Sequence, residues 1–248
     1  LYLVVERHDN DWSVKKKAHH NSGELAAEPK LSDDQVRQLL DSGVFELGGH
    51  TLTHCHLPSA APADKAREIS ACRWALEEAF NTPVTSFAYP FGIFNDEDVA
   101  LVRDAGFTNA VTTNEGIDGV GQSVADPWRL RRINLSLWWL TTLLPFAWLS
   151  ARYCWWRTAL PDALPRVLMY HMVSAQGEAK KHRGLRVEPA MFERQVAWLA
   201  ANGWQFVTMA ELTERDFRGG KQVAITFDDG YEDNLLNALP ILQKYDAK

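Results

Sequence analysis

At 248 residues and 46% hydrophobic content, the chain is long enough to bury a large core, as one α/β domain of barrel size or as two small domains. Its 32 acidic and 26 basic residues leave a net charge of −6 without long runs of one sign, which argues against a phosphate-backbone footprint and against nucleic acid as a partner. Cys55, Cys72 and Cys154 are widely spaced with no C-x-x-C, so neither a disulfide framework nor a thiolate zinc site is suggested.

In chain order, the opening "LYLVVE" has no initiator Met, basic stretch or small-residue cleavage site, and reads as a strand rather than a signal peptide. Apolar runs bounded by turn residues predict strands at 1–5, 44–50, 84–90, 108–113, 166–171, 205–209 and 222–227. Helical periodicity predicts helices at 32–43, 63–80, 95–107, 188–204 and 232–245, with Ser32 as a start signal and Gly43 as a stop. Strands and helices alternating at this spacing argue for parallel βα units in a barrel-like α/β domain.

One segment falls outside that pattern. Residues 135–151 carry no charge and have Arg131, Arg132, Arg152 and Arg157 at their flanks, with Trp138, Trp139, Trp148, Trp155 and Trp156 concentrated toward the ends of the segment. These margins suit a membrane interface, and the length is short for a span, so the expectation is membrane association through 135–156 or a buried helix kinked at Pro145.

The chemistry concentrates at predicted strand ends. Asp228 and Asp229 close the strand "QVAITF" and precede Gly230, which permits a sharp turn; the C-terminal strand edge is where α/β barrels place catalytic groups. Two adjacent carboxylates are not readily both ionised unless they share a cation or a proton, so the motif asks for a metal. "GGHTLTH" (48–54) ends another strand, and His50 and His54 with one carboxylate make a three-ligand site that leaves a position open. Each motif alone is weak, because H-x-x-x-H also occurs on plain helix surfaces and D-D-G-Y in capped turns; the pair at two strand ends is far more specific. "FAYPFG" (87–92) is a third strand end, where Pro90 and Gly92 shape a turn that brings a backbone N–H toward the metal.

Together with "LMYHMVS" (168–174), "FERQVAWLAANGW" (192–204) and "ALPILQKYDAK" (238–248), these motifs resemble the NodB-homology polysaccharide deacetylases, with the poly-N-acetylglucosamine branch the nearest. The resemblance covers the chain except about 135–165, and implies a distorted (β/α) barrel. The order differs from the family's, which runs from "YHMV" through "TFDDG" to "H-T-x-x-H", "YPFG" and a closing stretch like "DPWRLRRINL" (126–135). The chain therefore reads as circularly permuted: 1–134 is the C-terminal part of the barrel in family order, 166–248 the N-terminal part, and 135–165 a Trp-rich connector or membrane-associated segment.

The resemblance implies hydrolysis of N-acetyl groups from an N-acetylhexosamine polysaccharide, with release of acetate. Asp229, His50 and His54 would hold a divalent metal, zinc first and cobalt, nickel or manganese as substitutes, while Asp228 would be the base and the backbone N–H of Phe91 the oxyanion donor. Tyr89, Pro90 and Tyr231 are the expected substrate contacts. Two features depart from the chitin and peptidoglycan branches: Ala88 stands where they carry an Arg that orients the base, and "RLRRINL" lacks their late His acid. His171 is the replacement acid that the strand end offers. Cys55 and His56 read as packing or loop residues, and "KKKAHH" (15–20) as a solvated loop. The alternatives are a deacylase of a lipid-linked sugar at the membrane and a catalytically silent carbohydrate-binding barrel. The expected location is the bacterial cell envelope, periplasmic or associated with the inner membrane.

Overall fold

The computed structural model describes residues 1–8, 25, 27–113, 126–135, 166–175, 183–215 and 221–248. Four strands, β1 (Tyr2–Leu3), β2 (Gly48–Gly49), β3 (Ser86–Ala88) and β4 (Asn109–Val111), form one parallel sheet in that order. A second sheet runs β5 (Ile133–Asn134), β6 (Arg166–Tyr170), β10 (Gln222–Phe227), β9 (Gln205–Phe206), also parallel throughout. β7 (Met172–Val173) and β8 (Arg186–Val187) pair apart from both.

The two sheets are joined where Leu130 donates to Ala110 O at 2.9 Å and accepts from Thr112 N at 2.8 Å, a parallel bridge that leads the chain into β5. The result is one run of parallel strands, β1-β2-β3-β4-β5-β6-β10-β9, in the α/β class that the alternating pattern predicts. The short strands β5, β7 and β8 have no counterpart in the sequence prediction. β5 lies in a stretch whose arginines break the apolar pattern.

Helices follow the strands as the periodicity predicts at α1 (Asp33–Asp41), α2 (Pro62–Phe80), α3 (Asp96–Asp104), α4 (Pro189–Ala201) and α6 (Leu239–Lys244), whereas α5 (Met209–Glu214) has no counterpart in the prediction and begins at Met209, which the apolar run assigns to a strand. Ser32 does cap α1, accepting from Gln35 N while the Gln35 side chain accepts from Ser32 N, so two otherwise orphaned amides are satisfied. Val36 and Leu39 on its inner face are buried in the main core. The predicted helix at 232–245 is broken: a π turn at Asn234–Ala238 precedes α6, and Pro240, which has no amide to donate, sits at the junction.

The strand period of two separates two cores. Tyr2, Ala88, Val111, Leu130, Val167 and Ala224 gather in a small apolar cluster, whereas Leu3, Phe87, Ala110, Leu168, Tyr170 and Phe227, their chain neighbours or alternates, belong to the large core that includes helix residues such as Val36, Ile69 and Phe192. Ala224 pairs with Val167 and Thr226 with Met169, so the next position on that face of β10 belongs to Asp228.

Leu1 N donates to Glu46 O at 2.8 Å, and Leu1, Tyr2, Ala224, Thr226 and Lys248 line one cavity between β1 and β10. Among the described residues no helix is long and apolar enough to cross a membrane. The Trp-rich segment expected to meet a membrane lies outside the described residues, apart from Leu135, which is buried in the large core.

Candidate metal centre and active site

Three strand ends converge as their motifs predict. Asp228 N continues the β10 ladder by donating to Tyr170 O at 3.0 Å, and the chain then leaves the sheet with Asp229 at φ 72° and Gly230 at φ 67°. Glycine is required at 230 on two counts, since a Cβ there would lie 2.4 Å from Leu3 Cδ1 in addition to the positive φ. Both carboxylates are buried, 2% and 6% exposed.

At the end of β2, His50 N donates to Leu3 O at 3.1 Å, so its side chain is fixed by the β1 ladder. The following loop turns back through Thr51 at φ 66° and His54 at φ 56°, and Glu68 of α2 ties it down by accepting from Thr53 N at 3.0 Å and Thr53 Oγ1 at 2.9 Å. Left-handed conformations at Thr51, His54, Phe91 and Asp229 all border this one site, which is where such strain is characteristically held.

The result is a three-residue cluster. Nε2 of His50 and Nε2 of His54 each stand 3.5 Å from Asp229 Oδ1, and the ligand atoms of all three lie within 4.8 Å of one another. His50 Nδ1 is 2.7 Å from Ala88 O, which makes Nδ1 the protonated nitrogen and turns the Nε2 lone pair toward the cluster. Asp229 Oδ1 is buried with no hydrogen bond, an acceptor that a cation would satisfy. Burial pushes His54 down to about 3, so it is a neutral ligand at any working pH. Burial also opposes a charge on His50, but Asp229, Asp228 and the Ala88 carbonyl outweigh it and raise its pKa. The partners on Asp229 likewise overcome burial and hold its carboxyl well below the usual range. Two imidazoles and an ionised carboxylate at this spacing fit a divalent ion with an open position.

Asp228 is set apart from that cluster by Arg132. The guanidinium, fully buried, donates from Nη1 to Oδ1 at 2.6 Å and from Nη2 to Oδ2 at 2.7 Å, while Nε donates to Thr112 O at 2.9 Å and Nη1 also to Thr226 Oγ1 at 3.2 Å. Its Cζ lies 5.7 Å from the Tyr2 ring centroid. Burial would raise the Asp228 pKa, and the charge and hydrogen bonds of Arg132 reverse that, keeping it ionised. A carboxylate with both oxygens held by one guanidinium is oriented rather than chelated, as a base beside a metal must be.

Arg132 is the residue that sequence reasoning misplaced, reading it as a basic flank of the hydrophobic segment. It makes the contact to Asp228 that Ala88 cannot, from the position just before β5. The signal available was its alternation with Leu130, an apolar residue two positions before it that is buried in the small cluster.

His171, at the end of β6, has Nε2 3.9 Å from Asp228 Oδ2 and a side chain 13% exposed. Its backbone carbonyl accepts from Asn234 Nδ2 at 2.9 Å, a contact made by the π turn. Burial lowers its pKa against the pull of Asp228 and Asp229, so it rests neutral. Phe91 adopts φ 60°, and its ring centroid is 4.4 Å from that of His54.

The expected substrate contacts fare less well. Tyr89 has no exposed surface; its hydroxyl donates to Trp128 O at 3.0 Å and its ring stacks on Phe94, so its side chain is packing. Pro90 is buried too, and Tyr231 is 1% exposed, so none of the three offers a side chain to a sugar. His56 bonds to Ser59 Oγ at 2.5 Å outside the cluster, as a loop residue would, and 15–20 lies outside the described residues.

Comparison with known proteins points the same way as the geometry. Residues 9–110 match the sequence model of the family described as polysaccharide deacetylase. YxkH of Bacillus subtilis (strain 168), a protein named after the polysaccharide deacetylases, is 42% identical over 98 residues, 38% of this chain and 33% of its own length. The poly-β-1,6-N-acetyl-D-glucosamine N-deacetylase of Escherichia coli (strain K12) is 38% identical over 77 residues, 29% of this chain and 11% of that protein. The chain thus spans a third or less of these curated relatives. A crystal structure of a polysaccharide deacetylase from Bacillus cereus superposes with a TM-score of 0.39 at 24% identity, covering 53% of this chain and 35% of that one.

Proposed function

We propose that the chain, whose residues 9–110 match the polysaccharide deacetylase family, removes N-acetyl groups from an N-acetylhexosamine polymer with a divalent metal, zinc first, held by His50, His54 and Asp229. The observation that carries the proposal is the pairing of that cluster with a second, separately held carboxylate: Asp228 locked at 2.6 and 2.7 Å by Arg132. When bound, the ion supplies Lewis-acid polarisation of the acetyl carbonyl and a lowered pKa for the attacking water.

The protein's own groups do the rest. Asp228, ionised and aimed by Arg132, accepts the proton of the attacking water. Phe91 N–H, carried on its left-handed turn, donates to the oxygen that becomes negative as the carbonyl carbon turns tetrahedral. The C–N bond breaks as the amine gains a proton, and acetate and a free amine leave. His171, neutral at rest and 3.9 Å from Asp228 Oδ2, is placed to carry the proton from that carboxyl to the nitrogen.

The test is acetate release from acetylated glucosamine oligomers with added zinc or cobalt. Asp228→Asn keeps the shape of the site and removes the base, so turnover is expected to fall by about 10²–10⁴-fold while metal still binds. Metal binding by the parent with no acetate released would instead support a silent carbohydrate-binding barrel.

The motif order is part of the same reading. We infer that the chain carries the family's barrel in circularly permuted order, a reading supported by Leu1 and Lys248 lining one cavity between β1 and β10. Joining Lys248 to Leu1 through a short linker and opening the chain within 136–165 is expected to preserve the far-UV circular dichroism and the deacetylase activity. A chain that no longer folds after this rearrangement would contradict the permuted order.

A further inference from the structure

We propose that Glu68 is the positioning residue of His54: its carboxylate, reaching from α2, clamps Thr53 and so sets how the last histidine of the loop meets the metal. The assignment rests on the metal-dependent reading above.

The two histidines are held in different ways. His50 directly follows β2, tied by its amide to Leu3 O at 3.1 Å and by Nδ1 to Ala88 O at 2.7 Å. His54 lies beyond a turn in which Thr51 is at φ 66°, and is itself at φ 56°; a β-branched threonine adopts that region only under outside constraint. The extension of β1 supplies part of the constraint, since Val5 N donates to Thr51 O at 3.3 Å and Glu6 N to Leu52 O at 2.9 Å. At Thr53, the residue before the ligand, it comes from α2. Thr53 N donates to Glu68 Oε2 at 3.0 Å and Thr53 Oγ1 to Glu68 Oε1 at 2.9 Å, so both oxygens of one carboxylate are spent on one loop residue.

Packing does not account for a carboxylate at this place. Glu68 lies in the buried stripe of α2 with Ile69, Cys72 and Leu76, at 4% exposed, where an apolar side chain is the ordinary occupant. Lys65, one turn before it, is committed to Glu97 at 2.6 Å and Asp98 at 3.2 Å. Burying a charge is costly unless hydrogen bonds replace its water, and Thr53 supplies two of them. The helix is a firm base for the clamp, because Cys72, one turn on, packs so close to β2 that a Cβ on Gly49 would lie 3.2 Å from its Sγ. The carboxylate thus joins a fixed helix to the residue preceding His54, whose Nε2 stands 3.5 Å from Asp229 Oδ1. Ordering the imidazole in advance lowers the cost of assembling the ligand set, as outer partners of metal ligands do.

The experiment compares the full-length parent with Glu68→Leu and Glu68→Gln. Cobalt and zinc affinities are measured by competition with a chromophoric chelator, together with the visible absorption of the cobalt-loaded proteins and denaturant unfolding in excess chelator. Glu68→Leu is expected to bind metal about 10–100-fold more weakly and to show a shifted cobalt spectrum. Glu68→Gln, whose Oε1 can accept from Thr53 N while its Nε2 donates to Thr53 Oγ1, is expected to recover most of the affinity. Parental affinity and spectrum in Glu68→Leu overturn the proposal, even with stability lost, because Glu68 would then serve the fold alone. Glutamine as weak as leucine overturns the clamp, because the charge and not the pair of bonds would be at work. If Glu68→Leu does not fold, Thr53→Val decides: it removes one of the two bonds and is expected to weaken binding by about 2–10-fold, whereas parental affinity overturns the assignment. A parent that binds neither ion overturns the metal-dependent reading and this assignment with it. A parent that binds metal but releases no acetate overturns the proposed activity alone and leaves the comparison intact.

Discussion

Replacing Arg132 with methionine is expected to lower turnover by at least about a hundredfold, the usual worth of a positioned base, and to destabilise the fold by about 3–5 kcal/mol. Both effects have one cause. The side chain is wholly buried against a carboxylate that is itself 3% exposed, so methionine leaves Asp228 charged, desolvated and without its main counter-ion. Denaturant midpoints measure the second effect, and Arg132→Met with Asp228→Asn is expected to be markedly less unstable than the sum of the two changes, because asparagine removes the orphaned charge.

The pH profile separates an aimed base from a merely structural ion pair. As the proposed base, Asp228 acts only when ionised, and Arg132 depresses its pKa below the ordinary carboxylate value, so the parent is expected to keep activity well into the acid range. Without the guanidinium, burial dominates and raises that pKa, so the acid limb of kcat/KM in the variant moves to higher pH. The same depression gives a stability contribution present above pH 3.8 and lost as pH falls through the lower folded value. An Arg132→Met protein with parental turnover and an unmoved acid limb would remove Arg132 from the mechanism.

The parts of this site that were legible in the sequence share a property: their chemistry is declared by residues close together on one strand end. Asp228 and Asp229 are adjacent, and His50 and His54 lie on one short loop, so residue type and local period sufficed to pair them with strand edges. Arg132 was not legible in that way, because its role depends on β5 lying beside β6, a pairing of Ile133 with Leu168 that no local pattern declares. Tyr89 failed for the complementary reason. It stands at the right strand end, yet it is turned into the large core against Phe94 and Phe87, and only the packing decides that. The helix after the motif was half legible: its apolar period predicts a helix over 232–245, but the period does not show that the first turn widens into a π turn so that Asn234 can reach the carbonyl of His171.

Metal loading provides the second large effect, and its proton balance is set by the unequal histidines. Removing the ion with a chelator is expected to abolish acetate release and re-adding it to restore it, while His54→Ala is expected to weaken binding by more than the about 10–100-fold cost of losing an outer-shell partner. Ligating imidazoles must be neutral, so binding releases whatever protons the empty ligands hold. His54, pushed down to about 3 by burial, holds none in the neutral range. His50, raised by Asp229 and Asp228 and by its contact with Ala88, does hold one at mildly acid pH. Both carboxylates are depressed and already ionised there, and neutral His171 is not part of the cluster. Titration calorimetry below the raised pKa of His50, in buffers of differing ionisation enthalpy, is therefore expected to show about one proton released per ion, with affinity falling about tenfold for each further pH unit of acidification. Release of two protons would mean that His54 is not the neutral ligand its burial requires. Release of none would mean that His50 does not turn its Nε2 lone pair to the metal.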